Sequence, residues 1–215
     1  MKENLTELVF ILDRSGSMHG LEGDTIGGFN SMLDRQKTVK GDALVTTALF
    51  SDGWELLHDR TSLVGVKPLT EKNYVVGGCT ALLDAIGRTI DKIERAHKST
   101  DEAERPAHTV LVITTDGLEN ASREYGRNQI RQLVSRKQEK DGWEFLFLGA
   151  NMDAIAAAAD IGIQASRAAQ YVCDAVGTRT HYGALNRALE DLRCNTPLSA
   201  LWKAPIEADT QLRGK

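Results

Sequence analysis

Cysteine is scarce in this chain and unpaired in its pattern: Cys79, Cys173 and Cys194 are an odd set with no Cys-x-x-Cys spacing. That argues against a disulfide framework and against a cysteine-built zinc site, and it fits thiols kept reduced in a cytosol. A dominant charge is missing too, since 26 Lys and Arg stand against 30 Asp and Glu with the signs interspersed. No basic field invites nucleic acid, and no acidic block marks a disordered tail. No apolar run approaches the roughly 20 residues that span a bilayer. The opening residues enter a strand without a basic leader, an apolar stretch and a cleavage site. The setting expected from these absences is cytoplasmic, with neither nucleic acid nor membrane as partner. The five histidines, His19, His58, His97, His108 and His181, show no metal-ligand or triad spacing, and Cys79 has no histidine near it in sequence to make it a nucleophile. A Gly-Lys-Thr/Ser phosphate loop is also lacking.

What is present is enough apolar residue to build one core. With 215 residues and 41% apolar content, the chain reads as a single domain over residues 1–200, followed by a loose tail over 201–215 that lacks periodicity. Short, nearly continuous apolar runs at 7–12, 110–114 and 145–149 read as central parallel strands covered on both faces. Helical spacing separates them: Ile26, Phe29 and Leu33; Leu83, Ile86, Ile90 and Ile93; Ile130, Leu133 and Val134; and finally Tyr182, Leu185, Leu189 and Leu192. Residues 44–50 and 54–58 flank Ser51-Asp52-Gly53, a hairpin signal that predicts one antiparallel edge strand. A sixth strand is expected at 168–173. Together these predict an α/β fold, a doubly wound, mostly parallel sheet of about six strands with helices on both faces.

The most informative segment is Leu8-Val9-Phe10-Ile11-Leu12-Asp13-Arg14-Ser15-Gly16-Ser17-Met18. An apolar strand ends in a carboxylate, and two hydroxyls follow at alternate positions across a turn that Gly16 makes tight. A hard divalent ion takes oxygen ligands at about 2.1 Å, often mixed with water, and such a set supplies them without crowding. Two further segments belong with it. Gly77-Gly78-Cys79-Thr80 is a glycine-rich loop leading into a helix, and Thr114-Thr115-Asp116-Gly117 is a second strand ending in a carboxylate. In a strand order 3-2-1-4-5-6, Asp13 and Asp116 end neighbouring strands at the crevice where ligands bind open sheets.

These segments resemble the metal-ion-dependent adhesion site (MIDAS) of von Willebrand factor type A domains: Asp-x-Ser-x-Ser, then a loop threonine, then a Thr/Ser-Asp-Gly strand end. The resemblance covers roughly residues 6–195 and is nearest to the small, single-domain bacterial intracellular branch. It implies that Asp13, Ser15, Ser17, Thr80 and Asp116 bind a divalent cation, Mg²⁺ first and Mn²⁺ or Ca²⁺ as alternatives. It also implies a protein partner that supplies a Glu or Asp to the metal, and the role of an adaptor beside an AAA+ ATPase or another operon-encoded protein. An interaction module rather than an enzyme is expected. A Mg²⁺-dependent phosphatase is the competing class, but such sites usually carry a second acid two residues after the nucleophile, where this chain has Ser15. A scaffold stabilised by a structural ion is the third class. Asp84, Glu119 and Asn120 are expected to support the site rather than ligate, and Arg123, Arg127 and Arg131 to form a solvated helix face.

Overall fold

A computed structural model of the chain describes residues 1–213. The elements alternate: β1 (Lys2–Asp13), α1 (Glu22–Gln36), β2 (Asp42–Phe50), β3 (Trp54–Ser62), α2 (Leu82–Lys98), β4 (Pro106–Thr115), α3 (Arg127–Asp141), β5 (Glu144–Ala150), α4 (Ala154–Asp160), β6 (Ala168–Tyr171), α5 (Ala175–Arg193) and α6 (Ala204–Arg213). They build one six-stranded sheet in the order β3-β2-β1-β4-β5-β6. All neighbours are parallel except β2 and β3, which pair as the antiparallel hairpin.

The two-residue period of a strand explains both layers. Leu8, Phe10 and Leu12 of β1 pack under α1 and α5 against Phe29, Met32, Leu185 and Leu189. Val9 and Ile11, on the opposite face, meet Ile86, Ile90 and Ile93 of α2 and Ile130 and Val134 of α3. Because both faces are covered, β1 reads as an unbroken apolar run. The register then aligns the functional ends. Asp13 pairs with Phe50 on β2, and Leu12 with Thr114 on β4, so the residues after β1 and β4 leave the sheet side by side.

Two expectations fail locally, one of them only in part. The segment from 204 to 213 is not a loose tail but a helix. Ile206 is buried, Trp202 just before the helix donates its indole N–H to Ser166 C=O at 2.9 Å, and Thr210 Oγ1 donates to Gln170 C=O at 2.8 Å. Pro205 sits in its first turn, where a missing N–H costs nothing. A short helix with one buried apolar anchor shows no periodicity in sequence. The second, the arginine stripe, holds in part: Arg127 and Arg131 are exposed on α3, but Arg123 is not on it. Arg123 lies in the loop before α3, while Arg127 pairs with Asp160 at 2.7 Å and Arg131 donates to Ala159 C=O at 2.8 Å, tying α3 to α4.

Candidate metal centre

Asp13 is the last residue of β1 and almost fully buried. The chain turns at once, and Ser15 N–H donates to Asp13 Oδ1 at 2.7 Å. A single 3-10 turn over Gly16–Met18 swings Ser17 back so that its Oγ lies 3.1 Å from Ser15 Oγ. Ser17 Oγ then donates to Asp116 Oδ1 at 2.5 Å, bridging the ends of β1 and β4. Thr115 Oγ1 donates to Asp13 Oδ2 at 2.5 Å, a second bridge between the same strands. Thr80 completes the group. Its Oγ1 and Ser17 Oγ lie 3.0 and 3.1 Å from the point a Cβ on Gly117 would occupy, so any other residue there would push both hydroxyls aside by a few tenths of an ångström. All five side chains predicted from sequence therefore gather at the carboxyl end of the sheet.

Asp84, Glu119 and Asn120, expected as supports, hold the loops around the group, and Asp52 and Tyr74 join them without having been named from the sequence. Asn120 locks the two loops together, its N–H donating to Thr80 C=O at 3.0 Å while its side-chain Oδ1 accepts Thr80 N–H at 2.9 Å. Glu119 accepts the N–H groups of Leu83, Ala121 and Ser122, so it satisfies the start of α2 and shapes its own loop. Asp84 accepts from the N–H groups of Arg123, Glu124 and Tyr125 and holds the following loop, away from the ligand set. Asp52, in the β2–β3 turn, accepts Cys79 N–H at 2.9 Å and braces the glycine loop. That loop needs Gly78: its φ is +84°, and a Cβ there would sit 2.2 Å from Asp52 Oδ2. Tyr74 donates its hydroxyl to Asp13 C=O from 61 residues away. Asp52 and Tyr74 had no local signal in the sequence, whereas Thr115 stood in it as the residue before Asp116. Cys79 is exposed and hydrogen-bonds Asp52, which together with the charge beside it pushes its thiol up and away from nucleophilic use.

Burial pushes the Asp13 carboxyl above the ordinary carboxylate range despite the bonds from Ser15 and Thr115, and the neighbouring Asp116 adds to the rise. Burial likewise raises Asp116 against the bond from Ser17. Asp116 Oδ2 is buried and has no hydrogen-bond partner among the described residues, while Ser17 is exposed at the mouth. Two buried carboxylates facing three hydroxyls, with one carboxylate oxygen unpartnered, are a set that could hold a hard cation. Among the described residues no group of three or more His, Cys, Asp or Glu offers a softer alternative.

The raised carboxyls carry a sign. The folded, cation-free chain keeps protons on Asp13 and Asp116 that the unfolded chain has released, so these groups lower its stability as pH rises through that window. Cation uptake needs both deprotonated and reverses the trend. The rise in melting temperature on adding Mg²⁺ is therefore expected to be largest at about pH 8 and to shrink steadily towards about pH 5; a rise independent of pH would contradict it. Asn120→Ala, which frees the Thr80 loop without touching a carboxylate, is expected to weaken Mg²⁺ binding by roughly tenfold in a calorimetric titration.

No protein-family model matches the chain, and no curated protein matches it by sequence. Solved structures match by fold. Proximal thread matrix protein 1 from the mussel byssus superposes with a TM-score of 0.56 at 15% identity, covering 88% of this chain and 46% of that one. The von Willebrand factor type A protein from Catenulispora acidiphila gives 0.54 at 11% identity, covering 85% and 42%. The mussel protein has also been solved with a zinc-occupied MIDAS motif, at TM-score 0.53 and 16% identity over 87% and 44%. The chain spans less than half the length of these solved chains. Its fold is that of von Willebrand factor type A domains. No helix among the described residues is long and apolar enough to cross a membrane.

Proposed function

We propose that this chain is a metal-dependent protein-recognition module. Asp13, Ser15, Ser17, Thr80 and Asp116 hold a divalent cation, Mg²⁺ by preference, and a Glu or Asp of a partner protein reaches it through the open mouth. The observation that carries the reading is the unpartnered, buried Asp116 Oδ2 beside hydroxyls from two other loops, one of them exposed. An ion held there would supply a positive centre that attracts an incoming carboxylate more directionally than a surface ion pair does.

The remaining chemistry belongs to the chain. The two site carboxylates only balance a divalent charge, so a partner acid adds without repulsion from a third fixed acid. Thr115 and Ser15 orient Asp13 through its two oxygens, and Asn120 keeps Thr80 at a fixed distance from the Asp116 loop. The wider setting we propose is an adaptor in the cytoplasm of a bacterium, acting beside an AAA+ ATPase or another protein encoded with it. The zinc-occupied MIDAS of the mussel protein supports cation binding at such a fold.

The test pairs two measurements on the purified chain. Mg²⁺ titration should release heat and raise the melting temperature. Immobilised chain should retain a partner from host extract with Mg²⁺ and lose it with chelator. Release of inorganic phosphate from a generic aryl phosphate, dependent on Asp13, would overturn the reading in favour of an enzyme.

A further inference from the structure

Leu118 stands out among the large apolar side chains. It is 66% exposed although it lies two residues beyond the buried Asp116. It forms one wall of a groove of about 300 Å³ whose floor is Leu82, Leu83, Met152 and Ile161, all four nearly buried. Leu82 itself lies two residues beyond Thr80. The groove therefore starts at the two loops that carry Thr80 and Asp116, and two residues of chain span at most about 7 Å. An apolar groove lined by leucine and adaptable methionine, open to solvent beside a polar site, is the form of a ligand subsite.

The charges around the groove narrow the occupant. Glu119, Asp153 and Asp160 line it, against one guanidinium, that of Arg127, which is already paired with Asp160. Three carboxylates against one cation repel a second acid on the visitor, so only the cation offers an acid a place.

We propose that this groove is the specificity subsite of the metal centre: it takes a leucine- or methionine-sized side chain of a partner segment, two or three residues from the single acid that reaches the cation. The inference rests on the metal-dependent reading above and specifies the partner: an extended segment with one acid and one nearby apolar anchor, rather than an acidic run. Successive residues of such a segment advance about 3.3 Å, so two or three of them cover the at most about 7 Å of chain between Leu118 and Asp116 or between Leu82 and Thr80.

The test is a phage-displayed random peptide library panned on the intact chain in Mg²⁺ and, in parallel, in chelator. Mg²⁺-dependent peptides are expected to share one Asp or Glu with Leu, Met or Phe two or three positions away. A synthetic peptide of that consensus should bind Leu118→Ser, which removes the wall, about tenfold more weakly than the wild type, the loss expected for one unburied leucine. Ala156→Phe, which fills the groove from α4, should act in the same direction; Mg²⁺ titration of both variants verifies that the metal centre is intact. Mg²⁺-dependent peptides that carry an acid with no apolar neighbour, or equal binding by both variants, would overturn the subsite and leave the metal-dependent reading standing. Absence of Mg²⁺-dependent peptides together with absence of Mg²⁺ uptake would overturn both.

Discussion

Asp13→Ala is expected to abolish cation uptake, and with it every Mg²⁺-dependent gain in stability. For the wild type, a cation present at a hundred times its dissociation constant stabilises the fold by about 2.7 kcal/mol. For the variant that increment falls to zero. The reason is geometric as well as electrostatic. Of the two site aspartates, Asp13 is the one held through both oxygens, by Ser15 N–H and by Thr115 Oγ1, at the junction of β1 and β4. Alanine removes the charge and also leaves those two donors without an acceptor, which costs folding free energy of its own. Asp13→Asn separates the two effects. It keeps an oxygen to accept from one donor and the side-chain volume while removing the charge. Thermal melts of both variants with and without Mg²⁺ decide the matter. A fold that stays intact and loses its Mg²⁺ response supports the proposed ligand set; an Asn variant with an undiminished response would refute it.

The second large effect comes from a residue outside the ligand set. His181 is fully buried on α5, its ring packed 4.3 Å from those of Tyr171 and Tyr182, and neither ring nitrogen has a hydrogen-bond partner among the described residues. Burial drives its pKa down to about 3. The unfolded chain, with an ordinary histidine, takes up a proton below about pH 6.5 that the folded chain refuses. Its contribution to stability is therefore complete above that pH and drains as pH falls. Between about pH 6.5 and 4.5 the loss is roughly 3 kcal/mol. His58, lowered by burial on β3, works in the same direction, whereas the raised carboxyls of Asp13 and Asp116 oppose it. His181→Phe keeps an aromatic ring between the tyrosines and removes the titration. Urea midpoints measured across that range should fall for the wild type and fall much less for the variant; parallel curves would show that His181 is not the group responsible.

The same residues show how far a linear reading reaches. Asp13, Ser15 and Ser17 were legible because five consecutive positions make a local cage, and local geometry follows from a strand, a turn and a glycine. Asp116 was legible because it repeats the grammar of a strand ending in an acid. Thr80 was placed by resemblance, and its proximity to Ser17 and Gly117 agrees with that placement. Asn120 was expected to support the site from its place close behind Asp116, but its partner was not legible, and Asp52 and Tyr74 gave no signal at all. Each acts through hydrogen bonds to backbone groups at least 27 residues away, and a backbone carbonyl or N–H has no side-chain signature to read. Asp84 looked like a candidate because it sits four residues past Thr80. It was expected to support rather than ligate, and its carboxylate engages three N–H groups of the loop before α3.

By itself, then, the amino-acid sequence determined the alternation of strands and helices, the antiparallel hairpin and the oxygen-bearing character of the site, because periodicity and turn chemistry act over a few residues. Only the tertiary structure decided that α6 docks, that Asp116 Oδ2 is left unpartnered among the described residues, and that Leu118 opens onto a groove beside the candidate metal centre. Those outcomes depend on which surfaces meet once β4 lies against β1, and burial and long-range register are properties of the assembled sheet rather than of any segment within it.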